Sequence, residues 1–143
     1  MRSFAYLLFV FILVSSNTVH ADGRLSAHAK FVVAEVTVSF ATCDGLVRSW
    51  HAANDPDEMD ISKRLRDMNE CQSKAPGKLQ RSVQELRAAL KAQGKSEAAL
   101  KSFMMTYRQL LGILGPNVTN KELSLYEKTL DEKGELLIAD IEW

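Results

Sequence analysis

The stretch that most constrains the fold is residues 31–43, FVVAEVTVSFATC, because it fits two backbone periods. Apolar and polar side chains alternate over residues 36–40, which is typical of a strand. At helical spacing, apolar residues recur in steps of three or four from Val32 to Trp50, a longer pattern. No other stretch offers a strand to pair with. We predict a helix over roughly residues 24–53, and the alternative is a strand that pairs across a dimer.

The two cysteines, Cys43 and Cys71, test this choice. If the first two helices meet at a hairpin near residue 55, the cysteines lie twelve and sixteen residues from the turn. At about 1.5 Å per residue the two distances differ by about 6 Å, so antiparallel helices bring the sulfurs to the same level. A strand would place Cys43 near 40 Å from the turn and leave Cys71 at about 24 Å. We predict a Cys43–Cys71 disulfide that raises the free energy of unfolding by about 3.6 kcal/mol. The alternatives are free thiols or a bridge to a second copy of the chain.

The first 21 residues have the pattern of a cleaved signal peptide. Arg2 precedes an apolar run over residues 4–14, and Val19-His20-Ala21 offers small residues for cleavage before Asp22. The run is shorter than the roughly 20 apolar residues of a membrane helix, so we expect no membrane span in the mature chain. Together with a disulfide, this start predicts a periplasmic or secreted protein.

The remaining residues 22–143 fit one domain of 122 residues, since 143 minus 21 is 122. Loss of Arg2 leaves 17 basic and 18 acidic side chains, a formal charge of −1. This balance predicts no nucleic-acid partner.

Start and stop signals predict the second and third helices. Asp55-Pro56 starts a helix from about Pro56 to Lys74, and Pro76-Gly77 ends it. Apolar spacing over residues 79–90 predicts a third helix that stops at Gly94. The inward stripes are predicted to be Ile61, Leu65, Met68 and Cys71 in the second helix and Leu79, Val83, Leu86 and Leu90 in the third.

Two further helices are predicted on either side of Gly115-Pro116. Ser96 can cap the fourth helix, and Thr119 with Glu122 forms a capping box for the fifth. Gly134 predicts a kink or a restart, because glycine costs about 1 kcal/mol against alanine in a helix. The fourth helix carries a broad apolar face, which predicts a central helix or an interface: Leu100, Phe103, Met104, Tyr107, Leu110, Leu111 and Leu114. The fifth helix carries a narrower apolar seam: Leu123, Tyr126, Leu130, Leu137 and Ile141. The sequence therefore predicts an all-α, single-domain bundle of four to five mostly antiparallel helices.

Residues that carry chemistry are few. His28 and His51 remain after signal removal, and neither has the spacing of a zinc or catalytic motif. Glu35 is predicted at a solvated or rim position beside Phe31 and Val38. We predict a protein that is not an enzyme, with no catalytic residue, cofactor or metal site.

Charge is spread unevenly along the chain. Residues 74–108 carry eight basic and two acidic side chains, whereas residues 120–143 carry seven acidic and three basic ones. The interpretation that we favour is that these are solvated faces of adjacent helices that attract each other. The alternative is a surface that binds a charged partner.

Because the sequence shows no group of residues with catalytic spacing, it predicts an exported protein that binds another protein. Such a protein could be an inhibitor or immunity-type protein that occludes a cell-wall hydrolase or a toxin. A homodimer is an alternative assembly. The alternative function is a chaperone or a carrier of an apolar ligand, which would use the face of the fourth helix formed by Phe103, Met104, Tyr107 and Leu111. The candidate partner-binding residues lie in two turns and at the C-terminus: Asn54, Asp55, Asp57, Glu58, Asn117, Asn120 and Trp143.

Overall fold

The computed structural model describes the backbone of residues 3–53 and 58–143 and the side chains of residues 23–53 and 60–143. This part of the chain contains five helices and no strand, so the all-α prediction is confirmed and the strand alternative is wrong. The helices are α1 (Ser3–Ala52), α2 (Glu58–Lys78), α3 (Gln80–Ala92), α4 (Ala98–Ile113) and α5 (Asn120–Glu142).

Several predictions lie outside the described residues. The start signal Asp55-Pro56 and the candidate contacts Asn54, Asp55 and Asp57 fall in the segment between α1 and α2. Glu58 begins α2, but its side chain is not among those described. The side chains of the predicted signal peptide, residues 1–21, are also outside the described set.

Helix α1 begins at Ser3, well before the predicted start at residue 24. The segment from Ser3 to Ala52 contains no proline, and a single glycine such as Gly23 costs only about 1 kcal/mol, so nothing in the sequence stops the helix. The predicted seam of α1 faces the core: Val32, Val36, Phe40, Cys43 and Val47 are each at most 2% exposed, and Trp50 is half-buried against the core. Ala29 and Leu25, one and two turns earlier, extend the buried face beyond the predicted seam.

Helix α2 continues through Pro76, so the prediction that Pro76-Gly77 ends it is wrong. Proline removes one backbone donor, but a helix tolerates that loss when packing holds its neighbours. Ala75 and Leu79 are both buried, and Val83 N–H donates to the Leu79 carbonyl at 3.1 Å, so α3 follows after one residue. Helices α2 and α3 therefore act as one broken helix. The inward apolar stripe of α2 also differs from the prediction, since Met68 is buried but Leu65 is 37% exposed and Ile61 is half-buried.

The predicted stop at Gly94 is confirmed. Gly94 has a φ of 66°, which favours glycine because a side chain would crowd the backbone there. Gly94 N–H donates to the Lys91 carbonyl at 3.1 Å, and Lys95 N–H donates to the Leu90 carbonyl at 3.0 Å. These two bonds form a Schellman motif that satisfies the last carbonyls of α3. The next helix begins at Ala98, whose N–H donates to Ser96 Oγ at 3.1 Å.

Side-chain contacts define an antiparallel bundle. The Cys43–Cys71 disulfide joins α1 to α2 with a Cα–Cα distance of 5.6 Å, as predicted. Helix α5 runs antiparallel to α1, because Lys30 Nζ lies 2.8 Å from Glu142 Oε1 near one end and Arg48 Nη2 lies 3.2 Å from Glu127 Oε2 nearer the other. With α2 and α3 counted as one broken helix, the order is that of an up-down-up-down four-helix bundle.

Helix α5 passes through Gly134 without a break, so the restart does not occur, and the kink stays a prediction. Gly134 is buried because α1 packs closely against it. A Cβ at this position would lie 2.7 Å from Val33 Cγ1 and 3.6 Å from Phe103 Cε2. The glycine therefore permits a close approach of α1 to α5 that outweighs its poor helix propensity.

Gly134→Ala is expected to lower the free energy of unfolding by about 1–2 kcal/mol, measured by urea denaturation. Overpacking against the stiff Val33 side chain costs about 1–3 kcal/mol, and helix propensity returns at most about 1 kcal/mol. Gly112→Ala is the matched control, because that helical glycine is exposed with nothing within 4 Å of a new Cβ. The control should be stabilising, and adding Val33→Ala to Gly134→Ala should recover part of the loss. Equal stabilisation by both alanines would contradict the close approach.

Candidate functional site

The turn between α4 and α5, residues 114–119, is held in place by contacts from α1, α2 and the start of α5. Leu114 caps the C-terminus of α4 and is buried, and Val118 N–H donates to the Gly115 carbonyl at 3.1 Å, which closes a four-residue turn. Pro116 occupies the second position of this turn, where its fixed φ is favourable. Asn117 follows and is exposed to solvent.

Three contacts from different parts of the fold hold this turn. His51 Nε2, near the end of α1, donates to the Val118 carbonyl at 2.6 Å. Gln72 Nε2, on α2, donates to the carbonyls of Leu111 and Leu114 at 3.0 and 2.5 Å. Both acceptors are at the end of α4; the Leu111 carbonyl also accepts from Leu114 N–H at 3.3 Å, and the amide of Gln72 adds a side-chain cap to that helix end.

The third contact is the predicted capping box at the start of α5, which is confirmed. Glu122 N–H donates to Thr119 Oγ1 at 3.2 Å, and Thr119 N–H donates to Glu122 Oε2 at 2.7 Å. Hydrogen bonds from the Thr119 backbone and hydroxyl hold the pKa of Glu122 below its ordinary value. The carboxylate form is thus favoured at the positive end of the α5 dipole.

The structure separates the candidate partner-binding residues into two groups. Asn117 and Asn120 are both exposed at the α4–α5 turn, beside the end of α1. Trp143 is fully exposed but follows α5, whose 23 residues span about 35 Å. One compact partner contact cannot combine the turn with Trp143.

The apolar residues of α4 are not an open surface. Phe103, Met104, Tyr107 and Leu111 are each at most 8% exposed and belong to the main core. Tyr107 Oη lies 2.9 Å from Ser39 Oγ on α1, and burial raises the pKa of Tyr107. This face of α4 therefore packs into the core, and the surface predicted for an apolar carrier is not open to a ligand.

A charged cluster links α1 to α5. Asp44 is 2% exposed, and its Oδ2 accepts a hydrogen bond from Arg48 Nε at 2.7 Å. Arg48 Nη2 also donates to Glu127 Oε2 at 3.2 Å. Asp44 Oδ1 is buried with no hydrogen-bond donor among the described residues, so a protonated Glu127 can supply one. Burial and the interaction with Asp44 together raise the pKa of Glu127, although Arg48 opposes them.

The raised pKa of Glu127 gives a signed pH dependence. The stability that this group contributes is present below its unfolded pKa of about 4.3 and is lost as the pH rises through its folded pKa. Glu127→Gln should therefore flatten the change in unfolding free energy between pH 4 and 7. The effect should stay below about 1 kcal/mol, because the side chain is 42% exposed. Glu135→Gln, an exposed change on the same helix, should leave the profile unchanged. A profile for Glu127→Gln that matches the wild type would contradict this assignment.

The uneven charge is partly neutralised within the fold. The acids of α5 meet bases of α1 in the pairs Lys30–Glu142 and Arg48–Glu127. In the basic segment, Glu97 lies 3.0 Å from Arg87. These ion pairs join α5 to α1 and not to the basic segment, so attraction between the two predicted charged segments stays a prediction.

Gln72 and Asp44 both organise the fold, and neither was predicted to do so. Gln72 acts across the bundle on the end of α4, and no local pattern marks such a contact. Asp44 had one signal, because it stands four residues before Arg48, a spacing that favours an ion pair on a helix.

Within the described part of the chain, no three His, Cys, Asp or Glu side chains are grouped so that they could hold a metal ion. Nor does any helix searched over those residues have the length and apolar character needed to cross a membrane. Comparison of the chain with protein-family models, with curated proteins and with solved structures finds no match.

Proposed function

We propose that this chain is an exported, non-enzymatic binding protein of the inhibitor or immunity type, which occludes a cell-wall hydrolase or a toxin with its α4–α5 turn. The observation that carries the proposal is the fixed turn with outward-facing asparagines. Asn117 and Asn120 are exposed, while His51, Gln72 and the capping box hold the backbone beneath them.

A fixed turn suits occlusion because little conformational entropy is lost when it enters a partner's cleft. Protease inhibitors and similar pre-organised proteins move little on binding. Asparagine amides can donate and accept hydrogen bonds, so they can satisfy either kind of polar group in a cleft. The backbone of the turn would stay in place while the asparagine side chains adapt.

Export is part of the proposal. The apolar run over residues 4–14 and the small residues before Asp22 support a signal peptide. The Cys43–Cys71 disulfide fits an oxidising compartment. N-terminal sequencing of the protein recovered from envelope and medium fractions tests this part, with Asp22 as the expected first residue.

The binding test uses the disulfide-bonded chain as bait for envelope hydrolases and for the product of any adjacent toxin gene. Asn117→Lys and Asn120→Lys are expected to weaken capture at least about tenfold, a loss of roughly 1.4 kcal/mol. Asn69→Lys is the matched control, since Asn69 is exposed on α2 and outside the turn. Thermal unfolding verifies that each variant folds.

Binding that tolerates both turn variants would contradict the proposed contact. Failure to bind any of these envelope proteins would contradict the proposed function itself.

A further inference from the structure

We infer that the groove between α1 and α2 is a binding site for a small amphiphilic ammonium ion, whose apolar body lies against Phe31 and Val38 and whose charged head meets Glu35. The site is separate from the α4–α5 turn, and it does not depend on the proposed function.

The groove lies beside the disulfide. Cys71 lines it, and the lining continues along α2 to Leu79, the residue between α2 and α3. Its volume is about 880 Å³, within the range of small-molecule sites. The disulfide fixes the spacing of the two helices at this level, since the Cα atoms of Cys43 and Cys71 are 5.6 Å apart.

The apolar part of the site comes from both helices. Phe31 is 55% exposed and Val38 is 67% exposed, although both are large and apolar. They are seven residues apart on α1 and therefore share one face. Buried Ala75 and Leu79 line the groove on the α2 side. A ligand that covers Phe31 and Val38 removes apolar surface from water, which favours binding.

The polar part of the site is Glu35, which stands between Phe31 and Val38 on that same face. The side chain is half-buried, consistent with the predicted rim position, but its Oε2 is buried and has no hydrogen-bond partner among the described residues. A buried carboxylate oxygen without a donor is costly. An ammonium group in the groove supplies a compensating positive charge beside this half-buried carboxylate.

The other charges along the groove also favour a cation. Glu70 and Lys74 form an ion pair with each other, so their charges cancel. The remaining charged lining is Glu35 and Asp67 against Lys78, which leaves one net negative charge. Lys78 is exposed to solvent, whereas Glu35 is half-buried, so screening weakens the lysine more than the acid. An anionic amphiphile of the same shape would meet repulsion at Glu35.

The test compares three probes of equal chain length, decylammonium, decanol and decanoate, by isothermal titration of the full disulfide-bonded chain at pH 7, below micelle formation. Decylammonium is expected to bind at least about tenfold more tightly than the other two, a difference of roughly 1.4 kcal/mol. Glu35→Gln should abolish this preference and leave decanol binding unchanged. Val38→Ser should weaken all three probes.

Two further variants complete the test. Lys78→Gln removes the opposing charge and should strengthen decylammonium binding about twofold. Met105→Ser replaces an apolar residue of α4 that is 58% exposed and does not line the groove, so it should change nothing. Equal affinity for the three probes, an unchanged preference in Glu35→Gln, or no decylammonium binding at about 1 mM would each overturn the inference.

Discussion

Replacing Cys43 and Cys71 together by alanine is expected to lower the free energy of unfolding by about 2–4 kcal/mol. The cysteines are 28 residues apart in sequence, so the bridge closes a long loop and restricts the unfolded chain. Cys43 is buried and Cys71 is half-buried, so a smaller part of the loss comes from packing. Urea denaturation of the variant and the wild type measures the difference.

Reductant provides the control for this result. The reduced wild type should approach the stability of the double alanine variant, and the variant itself should not respond to reductant. Alkylation of both thiols in the native protein without prior reduction would contradict the bridge. So would equal stability of the oxidised and reduced wild type.

Phe103→Ala is expected to cost about 3–5 kcal/mol, because it removes a large, fully buried side chain and leaves a cavity between helices. Phe103 lies near Gly134, where α1, α4 and α5 meet. Phe31→Ala is the matched control, since Phe31 is 55% exposed and should cost less than about 1 kcal/mol. Thermal and urea unfolding of the two variants give the comparison.

This pair of variants distinguishes a core helix from a ligand face. If Phe103 belonged to an open apolar surface, its removal would cost no more than the removal of Phe31. Similar losses for the two variants would therefore contradict the assignment of α4 to the core.

The helical segments were predictable because their signals are local. Apolar spacing in steps of three and four predicted the buried seam of α1, and the positive φ of Gly94 follows from its place after the last apolar residue of α3. The Thr119–Glu122 capping box was also predictable, since both partners lie within one turn. The disulfide followed from the helical rise and the position of one hairpin.

The wrong predictions concern residues whose role depends on packing between helices. Pro76 does not end α2, because Ala75 and Leu79 on either side are buried. Gly134 does not restart α5, and its place is explained by Val33 of α1, which occupies the space that a side chain would need. In both cases tertiary contact overrides a local preference.

The candidate sites were less predictable than the helices. The sequence indicated the α4–α5 turn and its exposed asparagines, but not the contact of Gln72 that holds the turn from across the bundle. Glu35 was placed at a rim, but a one-dimensional pattern does not reveal that one of its oxygens lies buried beside a groove. Such features arise where helices distant in sequence meet.

The most direct test of the central claim is the backbone order parameter of Gly115 and of residues 117–119, measured by 15N NMR relaxation; Pro116 has no N–H. A turn held by His51, Gln72 and the capping box should have values near 0.85, like the flanking helices. His51→Ala combined with Gln72→Ala should lower those values while α4 and α5 keep theirs. Values below about 0.6 in the wild type would show a flexible segment and contradict a pre-organised turn.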